Sequence, residues 1–455
     1  MNNMRPIYQP AQTGWKHFRF LTCILIYCCL LMVLSGCVSL FTGVDGMPAT
    51  SGTPDPTAVR PSPTPTATPP LTESQLAQAL VQKMSLDQKL GQMVISEFYG
   101  PTLNSDLKQM VQGSQIGGVL IENANGNAQT RDQLVTLNKA IQSAASIPLF
   151  ISTDFEGGPV NELRRITGER DSETQIGATG NTQVAYNAGK SAASDLTGLG
   201  LNVNFMPIVD VLTNPNNPGL VDRTFGNNAT LVTNMGQAYL KGLTDGGVIG
   251  SLKHFPGLGS ASVDPHKSLP YMSRSIAELD AVDLVPYKTM IDEGIVPMVM
   301  VTHILNPQLD PNLPTSLSPN VITNLLRNQL GFKGVIICDT LWMGGISNTY
   351  SLTQAAILTV NAGTNLILGP RGLQETQTMI TGLKQAVNAG TVSLAKINTS
   401  VELILAMKLH YNVLSHAQAL KMLGLETPTP TAQNGAATTT ATINGTGEGD
   451  TKKEV

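Results

Sequence analysis

Short, uninterrupted apolar runs recur along the middle of the chain, and each is too brief to form a helix. They do not alternate apolar with polar residues, as a strand with one solvated face does. Continuous apolarity is typical of strands that are buried on both faces of a parallel sheet. We therefore predict eight strands, around residues 93–95, 118–121, 149–151, 203–205, 248–252, 296–301, 335–337 and 366–368.

Helical patterns lie between several of these runs, for example at residues 275–291 and 321–330. Two helix starts precede the first run, because Thr72–Gln75 and Ser85–Gln88 both match the capping-box pattern. Strand–helix alternation with eight strands predicts an α/β fold, a (β/α)8 barrel of the TIM type in a single catalytic domain. The pattern alone also fits an open, doubly wound sheet.

Polar side chains follow the ends of four predicted strands. They are Asp154, Lys253, His254, His303 and Asp339. One such residue is usually a cap for the next helix, but five of them on four strands are harder to explain as caps. In a barrel, the carboxyl ends of the strands form the face that holds the active site. The positions therefore predict one shared site.

The first 36 residues have the features of a targeting segment. A basic stretch is followed by the uncharged apolar run Phe20–Leu34, which is short for a transmembrane helix and suits a signal peptide. Leu34-Ser35-Gly36-Cys37 resembles the lipobox of bacterial lipoproteins, which implies that Cys37 carries the lipid anchor. An ordinary signal anchor is the alternative.

Low-complexity sequence flanks the predicted barrel on both sides. Residues 37–70 are rich in Thr and Pro and are predicted to form a linker. Residues 426–455 have a similar composition and are predicted to form a disordered tail. The catalytic domain is therefore expected to span residues 71–425.

Composition excludes some classes of partner and site. The net charge is −4 and only 13% of the 455 residues are charged, so no basic surface is expected to bind nucleic acid. Cys338 is the one cysteine outside the leader, and no Cys/His cluster has metal-ligand spacing. We predict no internal disulfide, no metal site and no organic cofactor.

Several short motifs resemble those of a known enzyme family. Residues 253–257 read K-H-F-P-G, and Asp264-Pro265-His266 and Leu269-Pro270 follow them. This order resembles the KHFPG…D-x-H…LP signature of glycoside hydrolase family 3, and more narrowly its single-domain β-N-acetylglucosaminidase branch. Further blocks that resemble the family, in the family's order, are residues 154–158, 202–207 with Asp210, 221–226 and 331–343.

The resemblance implies a nucleophile and an acid/base pair. Asp339 matches the family's nucleophile, and the end of a buried strand suits a carboxylate that must attack an anomeric carbon. His266 and Asp264 match the branch's acid/base pair, in which the carboxylate fixes the imidazole tautomer and stabilises its protonated form. A helix cap for Asp339 and an ordinary surface histidine for His266 are the alternatives.

Four further residues, Asp154, Arg223, Lys253 and His254, are implied by the same resemblance to bind the terminal sugar. A fixed carboxylate and cationic donors suit the hydroxyls of a pyranose. His303 matches a histidine of the family but is not predicted to be catalytic.

One block departs from the family pattern. After the paired glycines the family usually has R-V-x-R, whereas residues 159–162 read P-V-N-E. Pro159 and Glu162 therefore stand where two arginines are expected, the second of which normally contributes to sugar binding. Arg164 and Arg165 in the following turn are candidate replacements.

The resemblance implies a retaining β-N-acetylglucosaminidase that acts on peptidoglycan fragments or chitin-type oligosaccharides outside the cell. We expect a monomer that is attached to the bacterial cell membrane only through its N-terminal lipid. Phosphorolysis is a second enzymatic alternative, because a histidine acid/base does not repel an attacking phosphate. A non-catalytic sugar-binding lipoprotein is an alternative of another class, suggested by the missing arginines.

Overall fold

The computed structural model describes residues 71–425. The predicted signal peptide with Cys37, the linker and the tail lie outside the described residues. No helix in the described range is long and apolar enough to cross a bilayer.

Eight parallel strands form the central sheet, and its two ends meet to make a nearly closed barrel. In chain order the strands are β1 (Val94–Glu97), β2 (Gly118–Leu120), β3 (Phe150–Thr153), β4 (Phe155–Gly157), β5 (Val160–Asn161), β6 (Val203–Asn204), β7 (Ile249–Phe255), β8 (Met298–Val301), β9 (Val335–Cys338) and β10 (Ile367–Arg371). The order of strands in the central sheet is β10-β1-β2-β3-β6-β7-β8-β9. A parallel bridge between Ile337 and Leu366 joins the last strand in this order to the segment before the first. The remaining strands, β4 and β5, form a small antiparallel hairpin.

The predicted barrel is confirmed, and the open sheet is excluded by the bridge that closes it. All eight predicted runs coincide with barrel strands to within a few residues, because the strands are buried on both faces and most of their residues are apolar, with the buried polar residues mainly toward the carboxyl ends.

Helices surround the barrel and connect successive strands. The helices are α1 (Glu73–Lys83), α2 (Leu86–Gln92), α3 (Ser105–Gln112), α4 (Arg131–Ala144), α5 (Arg164–Thr167), α6 (Glu173–Ala178), α7 (Thr182–Gly198), α8 (Ala229–Asp245), α9 (Ile276–Ala281), α10 (Val285–Asp292), α11 (Gly344–Ser347), α12 (Leu352–Ala362), α13 (Gly372–Asn388), α14 (Leu394–His410) and α15 (His416–Leu423), with a 3-10 helix at Thr315–Leu317 and a π-helix at Asn320–Gln329. Both predicted capping boxes are present, at the starts of α1 and α2.

Two predicted helices differ from the structure. The helix expected over residues 275–291 is two helices, α9 and α10, because Pro286 cannot continue a helix and instead lies in the first turn of α10. The helix expected over residues 321–330 is wound as a π-helix, in which the Leu330 N–H donates to the Leu325 carbonyl. The sequence carries no signal for this wider winding.

A buried lysine closes the amino-terminal end of the barrel. Lys408 Nζ, from α14, donates to the Gly117 carbonyl at 3.0 Å and to Gln92 Oε1 at 2.8 Å. The ammonium also lies over the Phe150 ring, 4.9 Å from its centroid. Burial lowers the pKa of Lys408 to about 7. The carboxyl ends of the strands, where the predicted site residues lie, form the opposite end.

Candidate active site

Asp339 immediately follows β9, and its carboxylate is held from two sides. The Asp339 N–H donates to the Val301 carbonyl at 2.9 Å, which fixes its backbone to the end of β8. Thr302 Oγ1 donates to one carboxylate oxygen at 3.2 Å, and the Thr340 N–H donates to the other at 2.8 Å. The side chain is therefore aimed by neighbouring strand ends rather than by a loop.

Asp339 keeps its negative charge although it is buried. Burial acts to raise the pKa of Asp339, but the imidazoles of His303, His254 and His266 and the hydrogen bond from Thr340 outweigh it, so the pKa lies below its usual value. An ionised carboxylate is the form that a nucleophile or an electrostatic stabiliser requires.

His266 and Asp264 form a pair on the long loop after β7. His266 Nδ1 lies 2.8 Å from Asp264 Oδ1, and the same oxygen accepts the His266 N–H at 2.9 Å. Burial acts to raise the pKa of Asp264, but its hydrogen bonds to His266 prevail and the pKa is lowered. Asp264 therefore stays ionised and fixes the imidazole, whose side chain is 55% exposed.

The loop that carries His266 lies against the turn that follows Asp339. The Gly344 N–H donates to the His266 carbonyl at 3.1 Å, and the Gly345 N–H donates to the Pro265 carbonyl at 3.0 Å. A Cβ atom at Gly344 would lie 2.5 Å from the Lys267 carbonyl oxygen, so this close approach requires glycine. The two predicted catalytic groups are thus on the same end of the barrel.

Lys253, at the end of β7, makes two ion pairs inside the barrel mouth. Its Nζ lies 2.6 Å from Asp154 Oδ1 and 2.6 Å from Glu156 Oε1. Lys253 and Glu156 are almost wholly buried, whereas the Asp154 side chain is 28% exposed. Asp154 is therefore the member of this group that a ligand can reach.

Glu156 connects Lys253 to Arg223. Arg223 donates to Glu156 through Nε at 2.8 Å and Nη2 at 2.9 Å, and its Nη1 donates to the Gly219 carbonyl at 2.6 Å. Burial acts to raise the pKa of Glu156, but the two cations lower it to about 2. The structure therefore gives Arg223 a clear role in orienting Lys253 through Glu156, while the predicted contact between Arg223 and the sugar stays a prediction.

His254 is oriented by a carboxylate behind it. Asp210 Oδ2 lies 2.7 Å from His254 Nδ1 and accepts the His254 N–H at 3.1 Å. The other oxygen of Asp210 accepts the Leu258 N–H at 2.6 Å. This leaves His254 Nε2 as the nitrogen that is free to bind a ligand.

His303 has a partner on each ring nitrogen. Its Nδ1 lies 2.7 Å from Ser316 Oγ, and its Nε2 lies 3.1 Å from the Thr340 carbonyl. Burial lowers the pKa of His303. The ring is therefore suited to positioning the turn at Asp339 and not to transferring a proton.

Comparison with known proteins identifies the family. The family model described as "Glycosyl hydrolase family 3 N terminal domain" matches residues 85–407. The chain belongs to glycoside hydrolase family 3. This confirms the family predicted from the motifs, and the membership supports a glycoside hydrolase.

Individual relatives of this family 3 chain carry hexosaminidase names. A protein of Pseudoalteromonas piscicida named beta-hexosaminidase A is 37% identical over 289 residues, which are 59% of this chain and 48% of that protein. This chain thus spans about half the length of that relative. The protein of Mycobacterium tuberculosis named beta-hexosaminidase LpqI is 31% identical over 332 residues, 71% of this chain and 83% of that one.

A solved structure agrees with the barrel. A family 3 β-N-acetylglucosaminidase from Paenibacillus sp. str. FPU-7 has 33% sequence identity and a TM-score of 0.69, covering 75% of this chain and 68% of that chain.

The barrel mouth of this family 3 chain has an acidic wall, formed by Glu97, Glu122, Asp154 and Glu162, at the place where the second of the two arginines is missing. Glu162 Oε2 accepts the Asn123 N–H at 2.7 Å, and Asn125 Nδ2 donates to both Glu97 and Glu122, at 3.0 and 2.9 Å. Burial, together with the charges of Glu97, Asp154 and Glu162, raises the pKa of Glu122 to about 8.

Neither Arg164 nor Arg165, the candidate replacements for the missing arginines, is bonded to a proposed sugar-binding residue. Arg164 bonds the Gly158 carbonyl and pairs with Glu169 at 3.1 Å. Arg165 is exposed, and no contact ties it to the pocket. Among residues 71–425, no group of three His, Cys, Asp or Glu side chains is placed to hold a metal ion.

Three features of the site were not predicted from the sequence. Glu156 and Asp210 lie within the family-like motif blocks, but the sequence assigns neither of them a role. The third feature is a hydrogen bond from the Trp342 indole to Glu97. The spacing of Glu156, two residues after Asp154, was the one available signal, because alternate residues of an extended segment point the same way.

Proposed function

We propose that this family 3 chain is a retaining β-N-acetylglucosaminidase that releases terminal β-linked N-acetylglucosamine from oligosaccharides. The observation that carries the proposal is the placement of an ionised Asp339 beside the loop that holds the His266–Asp264 pair. A carboxylate and a proton donor on one face of a pocket are the two groups that retaining hydrolysis needs.

In the first step, Asp339 attacks C1 of the terminal sugar while the bond from C1 to the leaving oxygen breaks. His266, in its protonated form, gives its proton to that oxygen, so the leaving group departs as a neutral alcohol. Asp264 stabilises the imidazolium before transfer. The product of this step is a glycosyl ester on Asp339.

In the second step, the neutral imidazole of His266 takes a proton from water as the water attacks C1 from the side that the alcohol left. The ester bond to Asp339 breaks, and the carboxylate and the imidazolium are restored. Two displacements at C1 return the sugar with its β configuration.

Asp154, Lys253 and His254 bind the terminal sugar in this proposal. Asp154 is the exposed acceptor, Lys253 neutralises it from behind, and His254 presents Nε2 because Asp210 occupies Nδ1. A pocket with preoriented polar groups loses little entropy when the sugar binds. The Glu156–Arg223 pair holds this arrangement and sets the position of Lys253.

Hydrolysis is favoured over phosphorolysis by the acidic wall. Glu97, Glu162 and Asp154 surround the neutral carboxyl of Glu122, and their charge disfavours an attacking phosphate more than a neutral water. The chain retains all three proposed catalytic residues, Asp339, Asp264 and His266. Their presence weighs against a non-catalytic sugar-binding lipoprotein.

We further propose that the domain of residues 71–425 works outside the cytoplasm as a monomer, attached to the cell membrane by a lipid on Cys37. The lipobox-like residues 34–37 and the linker composition of residues 37–70 support this location, as does a relative named as a secreted glycosyl hydrolase. Peptidoglycan fragments and chitin-type oligosaccharides are substrates found there.

The test is turnover of 4-nitrophenyl β-N-acetylglucosaminide and of the matching β-glucoside by wild type and by Asp339→Ala. We expect wild type to prefer the N-acetyl substrate, and Asp339→Ala to lose about 10⁴-fold of kcat. Asp280→Ala, at an exposed aspartate on α9, is the control and should match wild type.

Two product measurements complete the test. NMR of the first-formed sugar should show the β-anomer, and added phosphate should yield no sugar 1-phosphate. Equal or faster turnover of the glucoside, full activity of Asp339→Ala, an α-anomer, or sugar 1-phosphate would each contradict the corresponding part of the proposal.

A further inference from the structure

We propose that Trp342 is a specificity-determining residue, whose indole ring forms the platform on which the leaving-group sugar stacks. The inference rests on the proposed function, because it names a second sugar-binding surface beside the same Asp339.

The backbone of Trp342 is fixed relative to Asp339. Trp342 lies three residues after Asp339, in the turn between β9 and α11. The Met343 N–H donates to the Thr340 carbonyl at 3.0 Å, and the Leu341 N–H donates to the Leu368 carbonyl of β10 at 3.0 Å. The turn is therefore closed on itself and tied to the barrel, so the backbone of Trp342 is held near that of Asp339.

The indole ring is held at its edge and on one face. Its Nε1–H donates to Glu97 Oε1, at the end of β1. Glu97 is 3% exposed, and its other oxygen accepts from Asn125 at 3.0 Å. The guanidinium of Arg371 lies over the ring, 5.5 Å from its centroid. These two contacts fix the plane of the ring before any ligand binds.

Trp342 lies in the wall of the pocket rather than in the core. Leu341 and Met343 on either side are buried, but Trp342 is half-buried. Through Glu97 the ring is connected to Asn125, whose side-chain amide also donates to Glu122 at 2.9 Å. The ring thus belongs to the hydrogen-bonded acidic cluster at the barrel mouth.

Depth in the pocket indicates which sugar would meet the ring. Asp339 and Lys253 are 9% and 2% exposed, so the terminal sugar that reaches them lies deep. Trp342 stands closer to solvent and lies two residues before Gly344, whose N–H donates to the carbonyl of His266. Because His266 is the residue proposed to protonate the leaving group, the ring adjoins the loop that the leaving group would meet. A pyranose presents an apolar face of C–H groups, and an aromatic ring of fixed orientation offers matching apolar surface at little entropic cost.

The expected loss of kcat/KM follows from the apolar surface area that stacking would bury. Stacking one sugar face on the indole removes roughly 80 Å² of apolar surface from water, and at about 25 cal/mol per Å² its loss corresponds to about 30-fold in kcat/KM. The effect should depend on the presence of a leaving-group ring and not on the terminal sugar.

The experiment compares two substrates that share the terminal sugar. Chitobiose has a leaving-group sugar, whereas β-N-acetylglucosaminyl fluoride has a fluoride ion in its place. We expect Trp342→Ala to lower kcat/KM about 30-fold for chitobiose and less than about 2-fold for the fluoride. Trp342→Phe keeps a ring and should recover most of the chitobiose activity.

Tyr186→Ala is a matched control. The Tyr186 ring is half-buried on α7, its hydroxyl donates to Asp245 at 2.9 Å, and Lys241 lies over the ring at 5.7 Å. It resembles Trp342 in environment but lies outside the barrel, so its loss should change neither substrate. Thermal unfolding of each variant reports whether it is folded.

The outcomes separate this inference from the proposed function. Wild type that fails to release fluoride from the glycosyl fluoride contradicts the proposed function. If wild type releases fluoride but Trp342→Ala lowers kcat/KM equally for both substrates, or for neither of them, the platform is overturned. A Trp342→Phe variant as poor as Trp342→Ala overturns it as well.

Discussion

Replacing Glu156 by glutamine removes a buried negative charge from between two cations and leaves its shape. Lys253 then keeps Asp154 as its one carboxylate partner, and Arg223 keeps the Gly219 carbonyl. The glutamine offers one uncharged oxygen where Glu156 offered two charged ones, and its NH2 group faces a cation. An uncompensated buried charge is strongly destabilising. We therefore expect Glu156→Gln to lower the free energy of unfolding and to weaken sugar binding by releasing Lys253.

The size of the loss follows from the pKa of Glu156. It is lowered from 4.5 to about 2, and at about 1.4 kcal/mol per pH unit the carboxylate contributes about 3 kcal/mol at pH 7. Because the folded pKa is the lower one, this contribution is complete above pH 4.5 and is lost as the pH falls toward 2. At pH 3 about 1.4 kcal/mol of it remains.

The assay is urea unfolding of wild type and Glu156→Gln at pH 7 and pH 3, with the same high salt concentration in every sample. The difference between the two proteins should shrink by more than half at pH 3. Glu173→Gln is the matched control: Glu173 is also wholly buried, but burial raises its pKa instead of lowering it. Replacing it should therefore cost less stability at pH 7 than replacing Glu156, and that cost should not shrink at pH 3.

A Glu156→Gln variant that is destabilised equally at both pH values would refute the electrostatic reasoning, since a packing defect does not depend on pH. So would a Glu173→Gln variant that loses as much stability as Glu156→Gln at pH 7.

Three further predictions concern the loop, the acid/base and the barrel base. Gly344→Ala should push the Lys267 carbonyl away, because the added Cβ atom would lie 2.5 Å from its oxygen, and should lower kcat at least 10-fold. Gly198→Ala should not lower kcat, because its Cβ atom would meet only the Arg131 guanidinium at 3.5 Å, an ordinary contact; steady-state kinetics decide. His266→Ala should lower kcat on chitobiose about 10²- to 10⁴-fold without changing the unfolding temperature. For Lys408, the folded pKa of about 7 lies below the unfolded value of 10.5, so the wild type takes up a proton on unfolding between these values and gains stability as the pH rises. Lys408→Met should abolish this slope in urea titrations between pH 7 and 10.

The barrel was predictable from the sequence because each of its strands leaves a signal in a few consecutive residues. Strands that are buried on both faces must be apolar throughout, and the runs ending near Ile121, Ile151 and Ile337 mark them directly. The cap residues Thr72 and Ser85 also act within one helical turn, so their pattern can be read in the sequence.

The rest depends on contacts that bring distant residues together. The hairpin of β4 and β5 is only a few residues long, and nothing in residues 155–161 separates it from a loop. Pro286 signalled the division between α9 and α10, although the periodicity on either side favoured a single helix.

Within the site, positions were predictable and partners were not. Asp339, Lys253 and Asp154 could be named because each directly follows an apolar run or lies within a few residues of its end, and these ends lie on the same face of the barrel. That Glu156 would join Lys253 to Arg223 could not be inferred, because the three residues come from separate segments and their distances depend on the closed barrel.

The most direct test of the account is a search for the covalent intermediate. His266→Ala should form the glycosyl ester from β-N-acetylglucosaminyl fluoride and release it slowly, because the general base for water is missing. Rapid acid quenching, peptic digestion and mass spectrometry should find one N-acetylglucosamine on the peptide that contains Asp339. A sugar attached to another carboxylate, or fluoride release by His266→Ala with no adduct on any peptide at any quench time, would contradict the central claim.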